Sequence, residues 1–212
     1  MSDAVHHPVF ARVYERMGRR AEGQGAAEHR VGLLRGLRGQ VVEVGAGTGL
    51  NFPHYPAAVD RVVAVEPEPY LRARATEAAA RAPVTAEVVD GVADALPVGD
   101  AACDAAVTSL VLCSVPDQAR ALAELRRALR PGGELRFYEH VVADGGVRAR
   151  VQRGLDAARI WPTVAGGCHL ARDTLAAIAA AGFEVEHVRR FGFPEGPLGL
   201  PHVLGTARAP AG

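Results

Sequence analysis

A short apolar segment that runs into a glycine-rich turn constrains this chain more than any other feature. Residues 41–49 read VVEVGAGTG, which predicts a strand followed by a turn with glycine at every second position. Glycine adopts positive φ readily and has no Cβ, so such a turn lets a ligand approach the backbone closely. The next predicted strand, 61–65, ends at Glu66, where α/β nucleotide sites place the carboxylate that binds ribose hydroxyls. These residues predict a cofactor loop, although a tight β-to-α connection alone can also require them.

The residues around the glycines distinguish three classes of cofactor. A nucleoside-triphosphate loop ends in Gly-Lys-Ser/Thr, whereas here Gly49 is followed by Leu50 and Asn51. A dinucleotide loop of the form G-x-G-x-x-G requires a glycine where this chain has Leu50. Glu43 adds a carboxylate before the first glycine, suited to an ammonium group that it contacts directly or through water. The combination fits S-adenosylmethionine, which has an amino acid end, a ribose and no phosphate.

Composition narrows the class of partner. The 212 residues, 49% of them hydrophobic, are enough for one domain with a full core. The formal net charge is zero, which provides no electrostatic attraction to nucleic acid or to an anionic membrane surface. All 24 basic residues are arginine, so a lysine Schiff base and a lysine general base are excluded. We expect a small-molecule partner and no nucleic acid, with no indication of an oligomeric state.

Cysteine usage and hydropathy bear on the compartment. Cys103, Cys113 and Cys168 are an odd number without paired spacing, which is typical of a reducing cytoplasm rather than of a disulfide framework. No C-x-x-C pair indicates a zinc site, and no metal is expected. No apolar run reaches the roughly 18 residues of a membrane span, and the N-terminus lacks the pattern of a signal segment. We therefore expect a cytoplasmic protein without a membrane anchor.

Alternating strand and helix patterns predict an α/β domain. The predicted strands cover residues 40–44, 61–65, 85–89, 104–110, 134–140, 183–191 and 201–207. The predicted helices between them cover residues 69–81, 119–130, 146–160, closed by Trp161 and Pro162, and 173–181. This order is typical of a doubly wound, Rossmann-like sheet with helices on both faces. We assign it to residues 39–212, preceded by an N-terminal helical cap over residues 1–38, in one structural domain.

The cap sequence predicts two helices that are interrupted around residues 23–25. Apolar spacing places the following residues on one face of the first helix: Val9, Phe10, Val13, Tyr14 and Met17. This element is either a cap packed on the domain or a lid in which Tyr14 reaches the ligand.

Side chains at the carboxyl ends of the predicted strands should line one edge of the sheet, where ligands of α/β proteins bind. After the third strand, Asp94 is placed to accept a hydrogen bond from an adenine amino group, and the Ala93 N–H to meet a ring nitrogen. A helix cap is the competing interpretation of Asp94. The candidate cofactor-binding residues are Tyr14, Glu43, Gly45, Ala46, Gly47, Asn51, Glu66, Pro67, Ala93, Asp94, Ser109 and Leu110.

Four motifs occur in the order in which class I S-adenosylmethionine-dependent methyltransferases carry them. They are residues 43–49, Glu66 after the second strand, residues 93–97 and residues 129–133. Over about residues 40–140 the chain resembles that family. The resemblance implies S-adenosylmethionine as methyl donor and a seven-stranded sheet of order 3-2-1-4-5-7-6 with the last strand antiparallel. Val92 stands where many small-molecule members carry an aspartate, which moves the adenine-facing acid to Asp94.

A narrower resemblance extends almost to the end of the chain. It rests on residues 51–56, 110–115, 139–141, 161–162, 166–168 and 201–202. In these segments the chain is similar to the methyltransferase-like thiol S-methyltransferases of eukaryotes and to their bacterial relatives. This implies methyl transfer to a small, often apolar thiol. The apolar membrane anchor that precedes the eukaryotic domain is not found here, so the acceptor need not be the same.

The acceptor needs deprotonation or orientation rather than covalent catalysis, because transfer from a sulfonium is a direct displacement. A thiol, with a pKa of about 8.5, needs only modest help. We expect His140, at the end of the fifth strand, to be the catalytic residue, although a structural histidine bonded to backbone fits equally well. The candidate acceptor-binding residues are His54, Tyr55, Trp161, Cys168 and His202, of which Cys168 is expected to pack rather than react.

Three other functions share many of these features. The methylated atom could be oxygen or nitrogen in a small metabolite. A dinucleotide-dependent oxidoreductase would share the fold and Glu66. A non-catalytic protein that binds S-adenosylmethionine would share every cofactor motif.

Overall fold

The computed structural model describes residues 8–196 and 199–211, with side chains from residue 11 onward. A single seven-stranded sheet has the order β3-β2-β1-β4-β5-β7-β6, as expected. The strands are β1 Gly39–Val44, β2 Val59–Val65, β3 Thr85–Val89, β4 Cys103–Ser109, β5 Leu129–His140, β6 Glu184–Phe193 and β7 Leu200–Arg208. The first five are mutually parallel, and β7 runs antiparallel to both of its neighbours. The doubly wound topology and the antiparallel last strand are therefore confirmed.

Alternating side chains of the central strands fill the two faces of the sheet. In β1, Val42 and Val44 belong to one buried cluster and Val41 to the other. In β4, Ala106 belongs to the first of these clusters and Val107 to the second. A strand that is apolar on both faces must be covered by helices on both, which explains the continuous apolar run of β4.

Seven α-helices surround this sheet among the described residues. They are α1 Pro8–Ala21, α2 Ala27–Leu34, α3 Pro69–Ala79, α4 Gln118–Ala128, α5 Gly146–Ala157, α6 Ile160–Val164 and α7 Thr174–Ala180. Three of them begin with an acidic side chain that accepts a hydrogen bond from the first turn: Glu68 in α3, Asp117 in α4 and Asp173 in α7. Such caps satisfy N–H groups that lack a partner within the helix.

The cap divides where the sequence predicts. A π-helical turn, Glu22–Ala26, separates α1 from α2, and Gly25 has φ 105° within it. That conformation favours glycine, so the break follows from the residue type. Residues 1–7 of the predicted cap lie outside the described residues.

The rotation of α1 differs from the prediction. Val13 and Met17 are 45% and 64% exposed, whereas Ala11 is fully buried. The inner side also carries Gly18, where an added Cβ would lie 3.1 Å from Leu50. Small residues that permit close approach, rather than apolar character, therefore fix the inner face of the helix. Val9 and Phe10 lie outside the described side chains.

The helix predicted over residues 146–160 ends early. Arg159 has φ 55° and separates α5 from α6, so that Trp161 and Pro162 lie inside a second short helix rather than closing the first. Pro162 is tolerated because the first turn of a helix leaves N–H groups without intrahelical partners. The break sets the loop after α6 against the end of β4. Within the described part of the chain, no helix is long and apolar enough to span a membrane.

Candidate active site

The residues that follow β1, β2, β4 and β5 lie along one edge of the sheet. Val44, the last residue of β1, pairs with Val65 of β2 and with Thr108 of β4. On the other side of β4, β5 continues the same edge and ends at His140. Parallel strands thus bring together the predicted cofactor residues and the predicted acceptor residues at their carboxyl ends.

The three glycines of the turn all have positive φ, but their surroundings differ. A Cβ at Gly45 would overlap a methyl group of Val111, and one at Gly49 would lie 2.8 Å from neighbouring side chains. These two glycines therefore permit close packing within the protein. At Gly47 the nearest atoms belong to the Tyr14 ring, 3.3 Å away. Gly47 is the glycine whose missing side chain keeps the backbone uncovered beneath the cap.

Glu66 lies across the turn, after β2. Its Oε2 accepts a hydrogen bond from the Gly47 N–H at 2.7 Å, and its Oε1 accepts one from the Glu68 N–H at 3.0 Å. Burial raises the pKa of Glu66 to about 7, while the two N–H donors act in the opposite direction. A carboxylate has about four acceptor positions, so two remain for hydroxyl donors. Glu66 therefore stands beside the turn, and its contact with ribose stays a prediction.

A network of buried polar side chains lies behind the turn. Glu43 accepts hydrogen bonds from Asn51 Nδ2 and from the Tyr55 hydroxyl, both at 2.8 Å. Arg30 of α2 donates to Asn51 Oδ1 at 2.8 Å and to Ser109 Oγ at 3.2 Å. Burial raises the pKa of Glu43 to about 7, against the lowering effect of its donors and of the Arg30 charge. Both oxygens of Glu43 are engaged, so this carboxylate orients Asn51 and Tyr55 in addition to any contact with a ligand.

Arg30 is a site residue that the sequence analysis missed. Its guanidinium also donates to Glu22 at 2.8 Å, and the side chain is buried. Helical spacing contains the signal, because Arg30 lies on the buried face of α2 together with Leu33 and Leu34. An arginine at a buried position indicates paired partners, since this residue type is almost never fully buried alone. Arg30 connects the cap to the ends of both β1 and β4.

Tyr14 of α1 lies over the glycine turn, against Gly47. The neighbouring Glu15 accepts a hydrogen bond from the Tyr70 hydroxyl of α3 at 2.7 Å, which helps to hold α1 in place. Burial raises the pKa of Tyr14 to about 12, despite the lowering effect of Arg30. The hydroxyl therefore keeps its proton at neutral pH and can donate it in a hydrogen bond. This position agrees with the lid interpretation of α1.

Ala93 and Asp94 occupy a tight turn that is closed by a bridge between Val92 and Ala95. No helix begins there among the described residues, so the interpretation of Asp94 as a helix cap is wrong. The Asp94 side chain is 38% exposed and lies 3.7 Å from Arg120. Its carboxylate is therefore reachable at the cofactor edge, as an adenine contact requires.

The remaining predicted cofactor residues are held by backbone hydrogen bonds. The Ala46 N–H donates to Val65 at 3.1 Å, and the Pro67 carbonyl accepts from Arg72 at 2.9 Å. Leu110 has φ 61°, and its N–H donates to Tyr138 at 2.7 Å. A non-glycine residue in this region is uncommon and marks a constrained turn at the end of β4.

A cluster of two thiols and an imidazole lies beside the end of β5. His140 Nδ1 is 3.2 Å from Cys168 Sγ, and the Sγ atoms of Cys168 and Cys113 are 3.7 Å apart. The hydrogen bond with Cys113 and the contact with His140 lower the pKa of the Cys168 thiol, against the effect of burial. The hydrogen bond with Cys168 and burial raise the pKa of the Cys113 thiol. The expectation that Cys168 packs rather than reacts stays a prediction, and Cys113, which was not among the candidate site residues, lies beside it.

Aromatic rings surround this cluster on one side. The His202 ring lies 4.3 Å from that of His140 and packs near Phe191 and Phe193. Burial lowers the pKa of His202 to about 3, so it is a neutral, structural ring at physiological pH. Trp161 lies beside Cys168, and its buried indole Nε1 has no hydrogen-bond partner among the described residues.

Two predicted acceptor residues lie elsewhere. Tyr55 is buried and belongs to the Glu43 network, while His54 is half-buried on the 3-10 turn Phe52–His54. The neighbouring Phe52 is part of the core. The structure therefore brings together four members of the predicted acceptor and catalytic set: His140, Trp161, Cys168 and His202.

The edge as a whole fits S-adenosylmethionine. Gly47 leaves backbone uncovered for a ligand, Glu66 has acceptor positions for hydroxyl groups, and Glu43 adds a second buried carboxylate. The turn lacks the glycine and lysine pattern of a phosphate-binding loop, and its two buried acids suit a cofactor with hydroxyl and ammonium donors better than a dinucleotide.

Comparisons with known proteins agree with this chemistry. Residues 42–137 match the family described as methyltransferase domain. Mouse thiol S-methyltransferase TMT1B is 36% identical over 181 residues, which cover 82% of this chain and 73% of that protein. Human thiol S-methyltransferase TMT1A is 35% identical over 172 residues, 79% of this chain and 69% of that protein. The solved [4+2]-cyclase SpnF has a TM-score of 0.69 at 21% identity over 89% of this chain and 81% of its own, which shows a shared fold alone.

The sheet order, the glycine turn and the matching domain define a class I S-adenosylmethionine-dependent methyltransferase. Relatives of more than a third identity cover 82% of the chain. Within the class, the chain belongs to the family that contains TMT1A and TMT1B. The expected class and family are both confirmed.

Proposed function

We propose that this methyltransferase acts on the sulfur of a small, apolar thiol. The observation that carries the proposal is the cluster of Cys113, His140 and Cys168 with aromatic neighbours, next to a methyl-donor edge, in a chain 36% identical to a thiol S-methyltransferase. The cluster supplies polar groups suited to a thiol, and the rings supply an apolar wall.

On the donor side, bound S-adenosylmethionine supplies an electrophilic methyl group on a positively charged sulfur. Glu66 accepts hydrogen bonds from the ribose hydroxyls, and Asp94 accepts one from the adenine amino group, beside the Ala93 N–H. Tyr14 closes over the turn and excludes water. Glu43 and Glu66 favour a cationic ligand electrostatically once they are ionised, and burial strengthens that attraction.

On the acceptor side, His140 orients the thiol or takes up its proton, with Cys168 fixing the imidazole through Nδ1. Phe191, Phe193 and His202 form the apolar wall behind it. Trp161, which lies beside Cys168, adds a further aromatic ring to the pocket. Direct displacement at a sulfonium does not itself require a metal, and its rate depends on holding the two reacting atoms in line.

The same observations favour a reducing compartment such as the cytoplasm. The three cysteines are buried and unpaired, and zero net charge provides no attraction to nucleic acid. We treat residues 39–212 as the methyltransferase domain and residues 1–38 as its N-terminal helical cap, within one structural domain.

The proposed acceptor is tested with compounds that differ in one atom. Methyl transfer from labelled S-adenosylmethionine is measured with phenylmethanethiol, benzyl alcohol and benzylamine under identical conditions. The proposal predicts the highest kcat/KM for the thiol, because a thiolate forms near neutral pH while an aliphatic alkoxide does not. A preference for the alcohol or the amine would replace the proposal with O- or N-methylation.

A further inference from the structure

Three potential metal ligands converge beside the end of β5. His140 Nδ1 lies 3.2 Å from Cys168 Sγ, and that sulfur lies 3.7 Å from Cys113 Sγ. All three donor atoms are within 4.8 Å of one another. With Zn–S bonds of about 2.3 Å, tetrahedral geometry puts two sulfur ligands about 3.8 Å apart. The separation of the two thiols therefore matches one edge of a zinc tetrahedron.

We propose that Cys113, His140 and Cys168 bind one zinc ion whose fourth coordination position takes the sulfur of the acceptor thiol. The identity of the fourth ligand rests on the proposed function, whereas the three protein ligands do not. Two thiolates and an imidazole are soft and intermediate ligands, which select zinc over magnesium or calcium. Three protein ligands with an open position are typical of a catalytic rather than a structural zinc site.

Backbone hydrogen bonds hold the ligand-bearing segments together. The His169 N–H donates to the Cys113 carbonyl at 2.8 Å, which joins the loop after α6 to the turn after β4. The Cys113 N–H donates to Glu139 at 3.2 Å, next to His140 in β5. The His202 ring packs against His140 at 4.3 Å and limits its rotation. Ligands positioned by such outer contacts bind a metal with little loss of conformational freedom.

The cluster lies next to the donor edge. Val111, two residues before Cys113, packs against Gly45 of the glycine turn. Both cysteines are buried while His140 is half-buried, so the cluster is reached from the side of His140. A sulfur on the fourth position would therefore lie beside the donor edge.

Zinc at this position would supply the step that a thiol needs. Coordination releases the S–H proton to solvent and keeps the acceptor sulfur as a thiolate at neutral pH, so that His140 then orients the thiol as a zinc ligand and does not take up its proton. A lone pair of that sulfur forms the new S–C bond while the sulfonium S–C bond breaks, and the electrons of the broken bond stay on the donor's sulfur. The product is a neutral thioether, which binds zinc more weakly than a thiolate and is released.

The sequence alone does not reveal this cluster, because its three members lie far apart along the chain. Cys168 lies 28 residues from His140 and 55 from Cys113, so no short ligand pair exists from which to predict it. The expectation of no metal rested on the lack of such a pair.

The test uses the full-length chain, purified under reducing conditions without chelators. Zinc is measured by inductively coupled plasma mass spectrometry, and cobalt(II) is then substituted to observe thiolate-to-cobalt charge-transfer absorption. Cys113→Ser and Cys168→Ser remove ligands, whereas Cys103→Ser is the matched control, because Cys103 is buried at the start of β4 outside the cluster. Circular dichroism and calorimetry with S-adenosylmethionine report the folding of each variant.

The proposal predicts about one equivalent of zinc in the wild type and in Cys103→Ser, and loss of at least tenfold in metal affinity in the two ligand variants. Phenylmethanethiol should shift the cobalt spectrum of the wild type, while benzyl alcohol should not. Failure of the wild type to bind zinc or cobalt would overturn the site even if thiols are methylated. A Cys113–Cys168 disulfide in place of metal binding, detected by mass spectrometry, would also overturn it. Metal binding without a response to the thiol would overturn the assigned fourth ligand.

Discussion

Two buried carboxylates, Glu43 and Glu66, define the chemistry of the cofactor edge at the scale of single residues. Burial raises the pKa of each to about 7, yet both retain hydrogen-bond donors that favour the ionised form. A bound cationic ligand would stabilise the ionised form of both carboxylates further. Their charge state is therefore coupled to both folding and cofactor binding.

Glu66→Gln should weaken the binding of S-adenosylmethionine and S-adenosylhomocysteine alike. The ribose is common to the two ligands, and the loss should be on the order of 1–3 kcal/mol. Isothermal titration calorimetry measures it, with the exposed Glu87→Gln in β3 as the matched control. Unchanged affinity in Glu66→Gln would remove this carboxylate from the site.

The same carboxylates predict a pH dependence of stability. Their pKa is about 7 in the folded protein and 4.5 ordinarily, so the folded state binds protons more tightly. The resulting stabilisation is complete below about pH 4.5 and is lost as the pH rises through about 7. Urea unfolding of the unliganded protein measures the free energy of unfolding of the wild type and of Glu66→Gln. The stability of the wild type relative to Glu66→Gln should decrease as the pH rises. A difference that is constant from pH 5 to 8 would contradict the raised pKa.

His140→Ala should lower methyl transfer far more than cofactor affinity. The imidazole lies against Cys168 at the end of β5, whereas the cofactor residues follow β1 and β2. A decrease of about a hundredfold or more in kcat is expected for a group that acts on the reacting atom. Single-turnover kinetics measure the rate, and calorimetry measures the affinity. Turnover equal to that of the wild type would assign His140 a purely structural role.

Local sequence patterns predict some residues of the candidate site and not others. Gly47 and Glu66 follow directly from the sequence, because a strand end fixes both their position and their neighbours. Arg30 and Cys113 do not, because their partners lie far away in the chain. Arg30 reaches Ser109 across 79 residues, and Cys113 reaches Cys168 across 55. Only tertiary packing brings such pairs together.

At the scale of elements, the glycine turn and α1 form a pair whose contact is made at Gly47 and Tyr14. The turn is rigid, because Gly45 and Gly49 allow close packing with Val111 and Phe52. Helix α1 is held in this position by the hydrogen bond that Glu15 accepts from the Tyr70 hydroxyl of α3. A ligand bound between the glycine turn and α1 would contact both Gly47 and Tyr14.

Alanine substitutions should separate the roles of the glycines. Each change costs roughly 1–2 kcal/mol because of positive φ. Gly45→Ala also creates an overlap with Val111, so it should lower the urea midpoint more than Gly47→Ala. Gly47→Ala should instead weaken S-adenosylmethionine by about tenfold or more, because its methyl group occupies the space beneath Tyr14. Wild-type affinity in a folded Gly47→Ala would contradict the role assigned to this turn.

Periodicity predicts the elements well where the backbone follows it. All seven strands occur where alternating or continuous apolar runs predict them, and α3, α4 and α7 are located to within a few residues. The prediction of which face of α1 is buried is wrong, because Ala11 and Gly18 pack closely while Val13 and Met17 face outward. The break at Arg159 was also missed, since a positive φ at arginine has no signal in the sequence.

For the whole molecule, the order of the strands follows from resemblance rather than from pattern. Alternation alone predicts a doubly wound sheet, whereas the 3-2-1-4-5-7-6 order depends on the family. The fold does not determine the reaction, because a [4+2]-cyclase shares it. The choice of a thiol acceptor therefore rests on the family and on the cluster beside His140.

A single acceptor that carries both a thiol and a phenol hydroxyl tests the assignment of a thiol acceptor most directly. We would supply para-mercaptophenol with S-adenosylmethionine labelled with carbon-13 in the transferred methyl group, and identify the product by nuclear magnetic resonance. The two nucleophiles belong to one molecule, so their concentration and the donor supply are the same for both. The account predicts an S–CH3 resonance as the major product. An O–CH3 resonance as the major product would contradict it.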